Sequence, residues 1–175
     1  MKHKLMVFGI VGWTVALTLG VLYSKKKLNI FHPQMKPSAG DWGSPVHRVG
    51  EKPLDTWSKT TFESAVDKKP LEGKVVTREG EIIDVSCYTQ LGKHGADHAG
   101  CAKACILNGQ PMGLLEDTGT IYLLIPEEHN PRRDGKTSLR EALIHHVAQI
   151  VQVTGTYTNV NGTKTIFVHG FVKKE

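Results

Sequence analysis

The longest unbroken apolar run stands at the N-terminus. Leu5–Tyr23 reads LMVFGIVGWTVALTLGVLY and carries no charge. As a helix these residues would reach about 28 Å, close to a hydrocarbon core of roughly 30 Å. Lys2 and Lys4 precede the run, Lys25, Lys26 and Lys27 follow it, and Tyr23 sits where an interfacial aromatic belongs. A buried core helix would show one apolar stripe rather than apolar faces all round. A cleaved signal peptide would need a shorter core and small residues at the cut, which Tyr23-Ser24-Lys25-Lys26 does not offer. The pattern predicts a retained single-pass transmembrane helix, with residues 1–27 as the anchor in a lipid bilayer. Lysines on both flanks leave its orientation open, and a strict count favours a cytoplasmic Lys25–Lys27 cluster.

Residues 28–72 show neither strand nor helix period. Pro33, Pro37, Pro45, Pro53 and Pro70 alternate with Gly40, Gly43 and Gly50, and such spacing interrupts both kinds of element. The expectation is an extended arm with one short helix at Lys59–Lys68. Trp42, Trp57 and Phe62 are unusual cargo for a free linker. They either pack back on the domain or anchor the arm on a partner, and the sequence reading takes them as partner-binding residues.

After Gly73 the period becomes that of strands. Lys74–Ser86 (KVVTREGEIIDVS) is rich in β-branched residues, with Gly80 marking an expected bulge or bend. Gly113–Leu115 and Thr120–Ile125 form a hairpin around Asp117-Thr118-Gly119. Ser138 and Glu141 make a capping box. Leu139, Leu143, Val147 and Ile150 then share a face, predicting a helix over Ser138–Gln149. Val151–Thr158 and Thr163–Val172 follow, joined at Asn161-Gly162. Strand, hairpin, helix, hairpin predicts a mainly β domain over 73–175, a five-stranded OB-type barrel with one or two short helices.

The formal charge of +5 changes this picture only by its location. Residues 1–72 carry 11 Lys and Arg against 6 Asp and Glu, whereas residues 73–175 carry 11 against 11. The folded part is neutral, and single-strand binding needs a positive groove with stacking aromatics; no nucleic-acid partner is expected. The chain shows no Ser/His/Asp order, paired-carboxylate motif, phosphate loop or C-x-x-C redox pair, so it is not read as an enzyme.

Chemistry concentrates in one segment, CYTQLGKHGADHAGCAKACILNGQPMGLL. It holds all three cysteines, Cys87, Cys101 and Cys105, with His94 and His98 between them. A helix over Ala96–Leu107 would set His98, Cys101 and Cys105 at i, i+3 and i+7 on one face, with Cys87 supplied from the end of a strand. Three sulfurs and one nitrogen suit tetrahedral Zn or a soft Cu ion. Met112 is a candidate weak thioether, although a lone methionine is more often core. The spacing Cys101, Cys105, Met112 matches part of a dinuclear copper loop, but Gly109 stands where that loop needs histidine. The rival reading is a disulfide clamp of Cys87 with Cys101 or Cys105, leaving one free thiol. His145 and His146 have no spaced partner and are read as ordinary helix histidines.

The segment EGEIIDVSCYTQLGKHGADHAGCAKACILNGQPMGLLEDTGTIYLLIP resembles a largely uncharacterised family of small exported bacterial domains with a tRNA-anticodon-like OB fold. The shared elements are G-E-x-x-D-x-x-C-Y at Gly80–Tyr88, H-x-x-C-A-x-x-C at His98–Cys105 and G-x-P-x-G-L-L at Gly109–Leu115. The likeness extends over roughly residues 73–172. It implies an OB fold and export, hence a periplasmic domain on the cell (inner) membrane. The anchor and the long arm depart from the compact members and suggest attachment to an integral membrane protein complex. The expected function is an accessory subunit of a membrane-bound respiratory or photosynthetic electron-transfer complex, with a Cys/His site for Zn or Cu. The alternative is a purely structural scaffold subunit with a cysteine clamp.

Overall fold

The structure is a computed structural model that describes residues 35–127 and 139–169. The expected transmembrane helix Leu5–Tyr23, the capping serine Ser138 and the last residues of the final expected strand lie outside these residues. Among the described residues no helix is long and apolar enough to cross a membrane.

The described chain is mainly β. Six strands run in the order β1 (His47–Val49), β2 (Lys74–Asp84), β3 (Met112–Leu115), β4 (Ile121–Pro126), β5 (Ile150–Val160) and β6 (Thr163–Val168). In space β5, β2, β3, β4 and β6 are successive neighbours, and β6 pairs back onto β5, closing a five-stranded barrel. The β4–β6 contact is parallel; the other four seams are antiparallel. Four short α-helices accompany the strands: α1 (Lys59–Ser64), α2 (Val85–Leu91), α3 (Ala99–Leu107) and α4 (Leu139–Ile144). Ile82, Leu114, Val151, Val153 and Ile166, all essentially inaccessible, fill the interior, and Leu139 and Leu143 of α4 pack into the same core.

The long strand β2 serves two neighbours. Its register with β5 runs from Lys74↔Tyr157 to Glu81↔Ile150, and that with β3 from Glu81↔Leu115 to Asp84↔Met112. The expected bulge at Gly80 does not occur, because the register passes through it without an extra residue. Its glycine serves close approach instead. A Cβ there would stand 2.7 Å from the Leu115 carbonyl oxygen, tighter than packed atoms tolerate. The Asn161-Gly162 turn is as the sequence predicts, with φ of 50° and 89°, the left-handed pair of a two-residue hairpin.

Two helices differ from expectation. The Ser138–Gln149 helix ends at Ile144, because the chain beyond it is captured by β2. The Ala148 amide donates to the Ile82 carbonyl at 2.8 Å, and the Ile82 amide donates to the Gln149 carbonyl at 3.1 Å. Ala148 takes φ 66° to make that turn. The Lys59–Lys68 helix stops at Ser64, and Val66–Lys68 forms a separate 3-10 turn in which Asp67 and Lys68 have positive φ.

Part of the expected arm belongs to the sheet. β1 pairs in parallel with β5, from His47↔Val151 to Val49↔Val153, on the edge that β6 uses further along. Trp57 corrects the partner-anchor assignment. It is 7% exposed, meets the Phe167 ring edge-on at 5.3 Å, and donates from Nε1 to the Leu71 carbonyl at 2.9 Å. Burying a large aromatic against the barrel outweighs leaving it wet for a partner. Trp42 at 48% and Phe62 at 41% remain exposed.

Candidate metal centre

The Cys/His segment is the connection between β2 and β3, residues 85–111, and its geometry is set by the ends of those strands. Asp84, the last residue of β2, is 1% exposed. Its Oδ1 accepts from the Ser86 amide at 2.9 Å and from the Cys87 amide at 3.4 Å, capping α2. Cys87 therefore sits in the first turn of a helix. The expectation that it ends a strand is corrected: the β-branched pattern runs on to Val85, but Asp84 accepts from the Ser86 and Cys87 amides and the chain turns into α2.

Glu81, buried one turn of pleat earlier, holds the loop that follows α2. Its Oε1 accepts from the Gly95 amide at 2.7 Å, and its Oε2 lies 2.8 Å from His94 Nδ1. His94 is thus engaged by a carboxylate and is not a free donor for the cysteine cluster. Tyr88 meets the His94 ring edge-on at 5.6 Å.

A 3-10 turn, Ala96–His98, precedes α3, so the single helix Ala96–Leu107 of the sequence reading is divided at His98. Ala102 and Ile106 face the core from α3, while Cys101 is exposed and Cys105 half-buried. His98 turns inward, 8% exposed. All three cysteines are free thiols. Val85 receives the far end of the segment: its amide donates to the Pro111 carbonyl at 3.0 Å, and its Cγ2 leaves no room for a Cβ on Gly113, which would fall 2.6 Å away.

The predicted ligands Cys87, His98, Cys101 and Cys105 do not form one quartet. They divide into two triads of potential ligand atoms, each with its members within 4.8 Å of one another. One is Cys87, Cys101 and Cys105; the other is Asp84, Cys87 and His98. Cys87 belongs to both. Within the second triad Asp84 Oδ2 and His98 Nε2 are buried and have no hydrogen-bond partner. Leaving a buried polar atom unpaired costs about 1–3 kcal/mol, and more for a charged group. Asp84 and His98, each with such an atom, stand with Cys87 in a donor set that could hold a metal ion.

Two of the thiols, Cys87 and Cys105, are shifted toward their protonated form. The adjacent Asp84 carboxylate, then burial, push the Cys87 thiol up to about 12. Burial and then the neighbouring Cys101 raise Cys105 as well. Oxygen, nitrogen and sulfur donors at this spacing could hold a metal ion. Met112 is buried in the core on β3 and takes the packing role. His146 stacks on His47 at 4.2 Å and bonds Gln149, also away from the cluster.

Asp84 and Glu81 are the residues that spacing alone missed. The signal for Asp84 was present as an N-cap residue directly before Val85-Ser86-Cys87. No protein-family model, curated protein or solved structure matches the chain.

Proposed function

We propose that the chain is a membrane-anchored accessory subunit of a membrane-bound electron-transfer complex, and that its barrel carries a Cys/His metal centre for zinc or copper. The observation that carries the metal reading is the pair of unpartnered buried atoms, Asp84 Oδ2 and His98 Nε2, beside Cys87. The strand order of the closed barrel supports its OB type. In such barrels the connection between the first two barrel strands is a favoured ligand-binding loop, and here that connection is the Cys/His segment between β2 and β3.

The resemblance to exported bacterial OB domains supports a periplasmic placement, and three of the shared motif residues have clear local tasks. Gly80 permits close packing on Leu115, Glu81 ties down the 94–95 loop, and Asp84 caps α2 beside Cys87. Attachment to the complex rests on the apolar run at Leu5–Tyr23 and on the exposed aromatics Trp42 and Phe62. The neutral charge of residues 73–175 argues against nucleic acid.

The closeness of the three sulfurs also favours a second reading, a disulfide of Cys87 with Cys101 or Cys105 in a structural subunit. The two separate cleanly. Full-length protein purified in detergent without chelator is analysed for metal, and its thiols are titrated before and after chelation. The metal reading expects bound zinc or copper and all three thiols reactive after chelation. Absence of metal with a single reactive thiol supports the clamp instead.

A further inference from the structure

Resting on the metal reading above, we infer that the centre is dinuclear: two divalent ions of the zinc class share the Cys87 thiolate, with Asp84 as a ligand to the inner ion. Metal–sulfur bonds are about 2.3 Å and metal–nitrogen or –oxygen bonds about 2.0–2.2 Å, so two donors on one ion stand no more than about 4.6 Å apart. The potential ligand atoms lie within 4.8 Å of one another in each triad, close to that limit, and Cys87 alone belongs to both. The arrangement offers two adjacent positions with one sulfur in common.

Satisfying the donors requires both positions. An ion at Cys87, Cys101 and Cys105 alone leaves Asp84 Oδ2 and His98 Nε2 buried without partners, as they stand now. An ion at Asp84, Cys87 and His98 alone leaves two half-exposed to exposed thiols idle on α3. Charge points the same way. One carboxylate, three thiolates and a neutral imidazole carry four negative charges, which two divalent ions balance. A single ion on the three thiolates would leave two of the four negative charges unbalanced, with buried Asp84 among them; an ion on the inner triad alone is balanced but leaves Cys101 and Cys105 unligated. Loading releases the three thiol protons to solvent and changes no oxidation state. Each ion then has three protein donors and an open position, the coordination pattern of reactive rather than closed structural zinc sites.

The position of the ions differs in character. The inner triad is built on the β2 terminus and the buried His98, whereas the outer one rests on the solvent-facing side of α3. The outer ion should exchange faster.

The test counts ions. Full-length chain in detergent is stripped with a chelator under reductant, reloaded with Zn²⁺ alone and desalted, and zinc per chain is measured. The wild type should bind about two ions, Asp84→Asn and Cys101→Ser about one each, and Cys87→Ser essentially none. Asp84→Asn retains a helix-capping side chain, so α2 should persist, as circular dichroism will report. A Co²⁺ titration of the wild type needs no variant: the spin signal of the first equivalent should fall when the second binds across the shared thiolate. A wild-type stoichiometry of one overturns the dinuclear inference while the metal reading stands. Two ions with simply additive Co²⁺ signals overturn the shared thiolate. No bound zinc overturns both.

Discussion

The two oxygens of Asp84 differ: Oδ1 caps α2, and Oδ2 is buried without a hydrogen-bond partner. The carboxylate has a measurable consequence in the metal-free protein. With Cys87 pushed up to about 12 by the adjacent Asp84 carboxylate and burial, little of the thiol is thiolate at pH 8. Asp84→Asn removes the charged acceptor, lowers that value and should speed Cys87 alkylation at least about tenfold. Unchanged alkylation would mean that the carboxylate does not act on the thiol. Metal affinity should fall as pH falls, since the thiols must lose protons and His98 must be neutral to bind. A titration of zinc retention between neutral and mildly acidic pH checks this sign. At this scale the cysteines and His98 were legible from spacing. Asp84 was not, because the apolar alternation of β2 continues past it and conceals the cap.

Elements were legible where their period was local and less so where another element captured the chain. The β3–β4 and β5–β6 hairpins stand where turn residues and alternation put them. α4 is shorter than its apolar stripe because Ile82 takes the backbone of Ala148 and Gln149, a contact between residues 66 positions apart that no window on the sequence reveals. The same long-range packing explains Gly80 and Gly113. An added methyl at Gly80 meets the Leu115 carbonyl, and at Gly113 the Val85 side chain. Gly80→Ala should destabilise the barrel by about 1–3 kcal/mol, read by urea unfolding. A neutral result would show that β2 and β3 can separate there. His47 gives β1 a pH dependence. Burial, then the neighbouring His146, lower its value below the ordinary 6.5. Its stabilising contribution is complete above that ordinary value and is lost as pH falls from it toward the folded one. The wild type should lose stability on acidification through this interval more than His47→Asn does, as thermal unfolding will report.

For the whole molecule, the described chain is a closed β barrel with a Cys/His connection and an N-terminal stretch laid against it. Trp57 fastens that stretch, so Trp57→Ala should cost about 3–5 kcal/mol of stability. Trp42→Ala, at an exposed position, should cost less than about 0.5 kcal/mol and, under the proposed function, should instead loosen co-purification with the proposed membrane complex, together with Phe62→Ala. Equal effects on stability would contradict this division. The sequence could not separate Trp57 from Trp42, since both lie among the same prolines and only the barrel surface distinguishes them. The central claim is that Cys87 and its neighbours ligate a metal ion. X-ray absorption at the zinc and copper edges of the full-length protein, purified without chelator, tests it most directly. A mixed first shell is expected, with sulfur at about 2.3 Å and nitrogen or oxygen at about 2.0–2.2 Å. Absence of either metal, or a shell without sulfur, would contradict it.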